Sequence, residues 1–153
     1  MQYWLMKSEP ADASIDDVLA LPHQTIPWYG VRNYQARNYM RDVMKVGDGV
    51  LFYHSSCAEP GIAGIAEVAS ISYPDDTQFD PDSKYFDPKA TRENPRWMLV
   101  DVRAIKKTPL FNLASLRAAP LLSEMQILRR GNRLSITPVS AAEWRYLIKQ
   151  IAS

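Results

Sequence analysis

Fifteen residues at positions 27–41, PWYGVRNYQARNYMR, hold four aromatic rings, three arginines and two asparagines, with no acid among them. Those side chains are the tools for handling an unstacked nucleobase. A ring stacks on the base face, an amide reads its edge and guanidinium groups hold phosphate. On a helix, Ala36, Met40, Val43 and Met44 fall at i, i+4, i+7 and i+8, a stripe fit to face a core. Tyr34, Arg37, Asn38 and Arg41 form the neighbouring stripe. It is free either to line a pocket or to stand in solvent with Tyr34 packed at the helix edge. Trp28 precedes this helix across Gly30, a residue able to take a turn conformation that folds the indole back.

A second polar group sits at Lys7, Ser8 and Glu9, where an apolar run meets Pro10. A lysine beside a glutamate either tunes a general base or makes a solvated ion pair. His54 and Cys57 raise a base–nucleophile idea, but three residues apart on a strand they point to opposite faces. His54 is then a sheet histidine or a ligand contact, and Cys57 a turn residue. Trp97, on a strand, suits either a core or a site. One cysteine and two histidines lack any metal-ligand spacing, and neither phosphate-cradling glycine loop is present. No metal and no cofactor are expected.

The elements that must position these residues follow from periodicity. Gln2–Met6 alternates Tyr3 and Leu5 against Trp4 and Met6, a strand buried on both faces. Ser14 with Asp17 opens a short helix through Ile15, Val18 and Leu19 that must end before Pro22. A second helix runs from about Asn33 to Met44. Gly49–Ser55 and Gly61–Tyr73 are strand-like with a turn at Ser56–Pro60, and Gly61 and Gly64 suggest a bulge, a bend or close backbone approach. Residues 74–95 form a long loop around Tyr85 and Phe86, and loops of that length are often functional. Arg96–Lys107 is a strand, 112–128 is helical in two pieces broken at Pro120, and Leu134–Thr137 is a short strand. Ser140 and Glu143 make a capping box for a last helix presenting Trp144, Leu147, Ile148 and Ile151. The pattern is α+β, with a strongly bent antiparallel sheet or partial β-barrel and short helices around it, in one domain over 1–153.

Composition narrows the class. The 153 residues are 46% hydrophobic and 23% charged, ordinary globular values. The net charge of +1 hides a segregation: residues 96–153 are net +7 and residues 57–95 net −5. That allows a basic face opposite an acidic loop. A single cysteine fits a reducing cytosol, and the N-terminal apolar run is broken too early by Lys7, Glu9 and Pro10 for a signal peptide or membrane span.

With these segments in order, the sequence closely resembles the EVE-domain family. The resemblance is carried by YWLMKSEP at 3–10, GVRNYQARNYMR at 30–41, VLFYHSS and GIAGIAEV between 50 and 68, PRWMLVDV at 95–102 and GNRLSITPV at 131–139. EVE domains are PUA-like, alongside YTH and ASCH domains, so the resemblance implies a bent, barrel-like sheet and a pocket for a modified base in DNA or RNA. YTH domains offer a looser parallel at Lys7-Ser8, Trp28, Gly64-Ile65-Ala66-Glu67 and Arg96-Trp97. Tryptophans cage a methylated base there. The resemblance carries that role to Trp28 and, by extension, to Tyr85 or Tyr73, since residues 57–95 hold no tryptophan.

The implied module is non-enzymatic and takes a flipped base. Trp28 stacks on it; Asn33, Ser55 and groups near Ser8 and Gly30 hydrogen-bond its edge; Tyr34, Tyr85 and Trp97 complete the pocket. Lys7, Arg32, Arg37 and Arg133 meet phosphate or sugar, and a partner protein or a dimer strengthens binding. One alternative is a hydrolase of modified nucleosides using Lys7 with Glu9 or Glu67 and Ser8 or Ser55. The other is a protein-interaction domain with no nucleic-acid role.

Overall fold

In a computed structural model, described over residues 1–151, a six-stranded curved sheet is the spine. The strands are β1 (Tyr3–Ser8), β2 (Thr25–Pro27), β3 (Gly49–His54), β4 (Gly61–Val68), β7 (Asp101–Asn112) and β8 (Ile136–Val139). Their order is β2-β7-β4-β3-β1-β8. β1 and β3 pair in parallel, and every other pair in this sheet is antiparallel. A two-stranded ribbon of β5 (Tyr73–Pro74) and β6 (Met98–Leu99) stands apart from it.

The alternation in β1 sorts its side chains to the two faces. Trp4 and Met6 join one buried cluster with Val50, Phe52, Ala66, Val102 and Ile136. Leu5 joins the other with Leu51, Tyr53 and Ile62. The first face is covered by α2 (Ile15–Leu19), through Ile15 and Val18, and by α3 (Tyr34–Asn38), through Ala36. The second is covered by α4 (Leu113–Ala118) and α5 (Ala141–Ile151), which deliver Leu116, Leu147 and Ile151. Where Trp4 is buried, its indole N–H donates to Asp48 at 3.1 Å, and Asp48 also accepts from the backbone N–H of Gln2 and Lys45. A carboxylate this deeply buried needs such donors.

Both glycines in β4 mark close backbone approaches. A Cβ on Gly61 would lie 2.6 Å from the Asn112 Cα, and one on Gly64 would lie 2.6 Å from Ile15 and 2.9 Å from the Lys106 carbonyl. The β4–β7 register slips between Ile62 and Gly64, and again between Ile65 and Ala66. Bulges of this kind bend a sheet.

Several boundaries moved. The helix expected over 33–44 is an α-turn to Asn38 followed by a π-helical turn over Tyr39–Val43, where Met44 N–H reaches Tyr39 O. The core stripe survives, with Ala36 and Met40 buried and Val43 and Met44 packed against them. The strand expected over 61–73 ends at Val68, and Tyr73 enters the ribbon. The strand expected over 96–107 is split between β6 and a longer β7, and the one expected over 134–137 runs from 136 to 139. Helix α1 (Pro10–Ala13) and strand β2 had no sequence signal of their own; both are too short to show a period. Ser14 and Asp17 form a reciprocal capping box, as do Ser140 and Glu143.

Candidate functional site

A cavity of about 230 Å³ opens where the end of β1, α1 and the segment after β2 meet the long loop. Its lining includes Lys7, Ser8, Glu9, Asp12, Trp28, Tyr29, Gly30, Arg32, Tyr85 and Ser135. That volume is below the roughly 300–1,000 Å³ of sites for drug-sized ligands, and it suits a single flat ring system.

Local structure explains how these groups arrive together. β2 is a short edge strand on β7, and Trp28 extends it by donating its N–H to Val100 O at 2.9 Å. The indole is buried and makes a T-shaped contact with the Phe52 ring, the centroids 5.5 Å apart at 85°. Gly30 then turns with φ +85°, and its N–H donates to Asp75 at 2.7 Å. The Tyr85 ring lies against Gly30 so closely that a Cβ there would stand 2.7 Å from the Tyr85 Cζ. Gly30→Ala is therefore expected to displace the Tyr85 ring, narrow the cavity and destabilise the fold by about 1–2 kcal/mol through the left-handed backbone alone. Chemical denaturation checks the second effect and ligand titration the first.

Asp75 is the hub that ties the loop down. One carboxylate oxygen accepts from Gly30 N–H and from Arg32 Nη1 at 3.2 Å, and the other accepts from the Thr77 backbone and hydroxyl. Arg32 gives its remaining donors to Tyr85 O, Val31 O and the Thr77 hydroxyl. All five of its N–H groups are thus committed within the chain. The phosphate role expected of Arg32 is corrected on that ground: it is a clasp between the turn at 30–32 and the loop at 75–85. Gln78, fully buried, completes the clasp by donating to Asp75 O and Trp97 O and accepting from the Arg96 and Trp97 N–H groups.

Lys7 is the cation of the cavity. Its backbone N–H pairs with Ser135 O, and among the described residues its ammonium makes no ion pair with Glu9 or any other carboxylate. Half-burial pushes the ammonium below the usual lysine range. The Ser8 hydroxyl donates to Ala13 O at 2.6 Å, so its oxygen faces a ligand only as an acceptor. Glu9 and Asp12 add carboxylates to the rim; Lys84 approaches Asp12 at 3.8 Å in solvent, a contact of little energy.

Six expected site residues, Asn33, Tyr34, Arg37, Ser55, Trp97 and Arg133, lie off the cavity lining. Asn33 caps α3, its Oδ1 accepting from Ala36 N–H at 3.0 Å, so its amide oxygen is held by the helix rather than by a base edge. Ser55 is joined to the site only through its N–H to Ser8 O. Tyr34 stacks on Trp97 at 4.8 Å and 19°, and Arg37 stands 4.7 Å from the Tyr34 ring centre. These three make a separate cluster beside the cavity. Arg133, exposed in the segment before β8, also lies apart, and the positions brought together are Trp28, Gly30, Ser8, Tyr85, Lys7 and Arg32. Tyr29, Asp12 and Ser135 were missed as site residues, and Glu9 was named only as a partner of Lys7 in the hydrolase alternative. Tyr29 stood inside the opening aromatic segment and Glu9 beside Lys7, whereas nothing local marked Asp12 or Ser135.

His54 is structural on this geometry: its Nε2 accepts from Ile15 N–H at 3.1 Å and its ring abuts Phe52. Cys57 is exposed in the turn. Glu67 pairs with Arg103 at 2.8 Å, on β4 and β7, and is not part of the cavity lining. No cluster of metal-ligating side chains exists among the described residues, and no helix there is long and apolar enough to cross a membrane.

A family model described as the EVE domain matches residues 2–150. Thymocyte nuclear protein 1 from Homo sapiens is 41% identical over 165 residues, covering 95% of this chain and 72% of that protein. A hypothetical protein from Leishmania major superposes with a TM-score of 0.92 at 48% identity, covering 98% of this chain and 94% of the other. Human THYN1 protein, solved in complex with DNA containing 5-methylcytosine, superposes with a TM-score of 0.92 at 39% identity, over 98% and 97% of the two chains.

Proposed function

The chain belongs to the EVE-domain family, with the PUA-like α+β fold of its relatives, and on that premise we propose that its cavity holds one extruded, modified base of a nucleic acid. The observation that carries this reading is the cavity itself: a ring-sized space with Trp28 and Tyr85 in its wall and an ammonium, Lys7, that has no anion partner among the described residues. The aromatic groups offer stacking, and Lys7 offers a donor to a base carbonyl or ring nitrogen. Glu9 and Asp12 offer acceptors to an exocyclic amine, the pairing that carboxylates make with the N4 amine of cytosine. Human THYN1, solved with 5-methylcytosine DNA, points to the same class of base and to DNA.

Phosphate contacts, in this reading, fall to Lys7, to Arg37 and to Arg133; among the described residues Arg37 keeps two N–H donors unused and Arg133 makes no hydrogen bond or ion pair. A cytosolic compartment is retained as a proposal for this chain; its human relative is named a nuclear protein.

The test is fluorescence anisotropy with a labelled oligonucleotide carrying a single 5-methylcytosine against its unmodified twin at one salt concentration. Tighter binding to the modified strand supports the reading, and equal binding to both contradicts it. A pH series adds a sign-checked expectation. Burial lowers the Lys7 pKa, so the ammonium loses its proton at a lower pH than an exposed lysine would. Affinity should be full at neutral pH and fall as pH rises through that lowered value. Lys7→Met should remove the alkaline fall along with part of the neutral-pH affinity. The oligonucleotide should lack guanine and thymine, whose own protons titrate in the alkaline range.

Lys7 and Glu9 line one cavity, which keeps hydrolysis of a modified nucleoside as a second reading. Product formation that disappears in Lys7→Ala would establish it, and binding without product would favour the module.

A further inference from the structure

We propose that Tyr34 is a second stacking station, for a nucleotide next to the one held in the cavity; this rests on the reading of the cavity as a base pocket. Tyr34 is 51% exposed, although one face of its ring is covered by Trp97. Arg37 does not cover the other face. Its guanidinium carbon is 4.7 Å from the Tyr34 centre and 5.9 Å from the Trp97 centre, while the two rings are 4.8 Å apart. A guanidinium capping the outer face would stand about twice as far from Trp97 as from Tyr34. The near-equal distances put Arg37 at the side of the stack, leaving the outer face of Tyr34 open with a cation along its edge.

The platform is built to hold its shape. Trp97 is buried, and its indole N–H donates to Asp87 at 2.8 Å. Arg37 is fixed by two bonds to Asn38 Oδ1 and one to Arg96 O, which among the described residues leaves two of its five N–H donors for a phosphate. A ring already locked in place loses little freedom when a base stacks on it.

Continuity with the cavity argues for the occupant. The Tyr85 ring in the cavity wall lies 5.5 Å from the Arg32 guanidinium, which lies 5.2 Å from the Trp97 ring, which stacks on Tyr34. The three steps place the open face within reach of a base one or two positions along the strand from the flipped one. An edge cation beside an exposed ring face favours stacking that tolerates any base.

The experiment compares a trinucleotide with 5-methylcytidine at its centre against free 5-methylcytidine, by calorimetric or NMR titration of wild type, Tyr34→Ser and Tyr34→Phe. The expected result is about a ten-fold loss of trinucleotide affinity in Tyr34→Ser, from the stacking contribution of one base. Nucleoside affinity should be unchanged, and Tyr34→Phe should restore the trinucleotide. Equal trinucleotide affinity in wild type and Tyr34→Ser overturns the proposal, and so does a parallel loss for nucleoside and trinucleotide. Failure of the cavity reading looks different: Trp28→Ala would then bind the nucleoside as wild type does.

Discussion

Arg32→Ala is expected to destabilise the fold by about 3 kcal/mol and to leave the salt dependence of nucleic-acid binding unchanged. The first part follows from Asp75, whose carboxylate is 1% exposed and ion-paired with Arg32 at 3.2 Å. Removing one partner of a buried pair typically costs about 3–5 kcal/mol because a charge is left buried without its counter-ion. The low end applies here, since Gly30 N–H and both donors of Thr77 stay on the carboxylate. For a chain of this length the midpoint of thermal unfolding should fall by about 6–12 °C. The second part separates a clasp from a phosphate contact. An arginine that neutralises a phosphate contributes about 0.9 to the slope of log affinity against log salt, and an arginine with all five donors committed inside the chain contributes none. A slope reduced by about one unit with stability intact would show that Arg32 leaves Asp75 to meet the nucleic acid.

Trp28→Ala is expected to weaken binding of a 5-methylcytosine oligonucleotide ten- to a hundred-fold, the effect of losing one stacked ring. It also removes an indole packed on Phe52 in the core, and about 3–5 kcal/mol of stability with it. Trp28→Phe separates the two effects. It keeps a ring face and much of the packing, so it should recover most of the affinity, whereas a purely structural Trp28 would show binding that follows the unfolding midpoint across both variants. Affinity in a still-folded Trp28→Ala equal to wild type would remove Trp28 from the site.

Much of the fold was legible because hydrophobic period reports burial directly. Tyr3 and Leu5 against Trp4 and Met6 separated the two clusters, and Ala36, Met40, Val43 and Met44 marked the seam of the helix even though its second half widens into a π-turn. The capping boxes at Ser14 and Ser140 are local chemistry and could be read from four residues each. Elements of two to four residues, such as β2 and α1, carry no period, and tertiary contacts alone form them.

The site divides along the same line. Lys7 and Ser8 follow from the strand that carries them, whereas Trp28 and Gly30 stood out by residue type alone, their contacts with Val100, Asp75 and Tyr85 lying far along the chain. Asn33 was misjudged because an asparagine before a helix caps it with the same oxygen that would read a base. Arg32 was misjudged because its partners other than Val31 lie 43–53 residues away, on a loop whose path no local pattern fixes. Tyr34 and Trp97 were grouped with the pocket when they form a stack next to it, with Arg37 beside Tyr34, a distinction of a few ångströms that spacing does not encode.

The central claim is that a base enters the cavity between Trp28 and Tyr85. Intermolecular NOE measurement on the protein bound to DNA with a single 5-methylcytosine tests it most directly, because the C5 methyl group reports where the base sits. The expected result is contacts from that methyl to ring protons of Trp28 and Tyr85. Contacts confined to Tyr34 and the surface around it, with the base still paired in the duplex, would contradict the account.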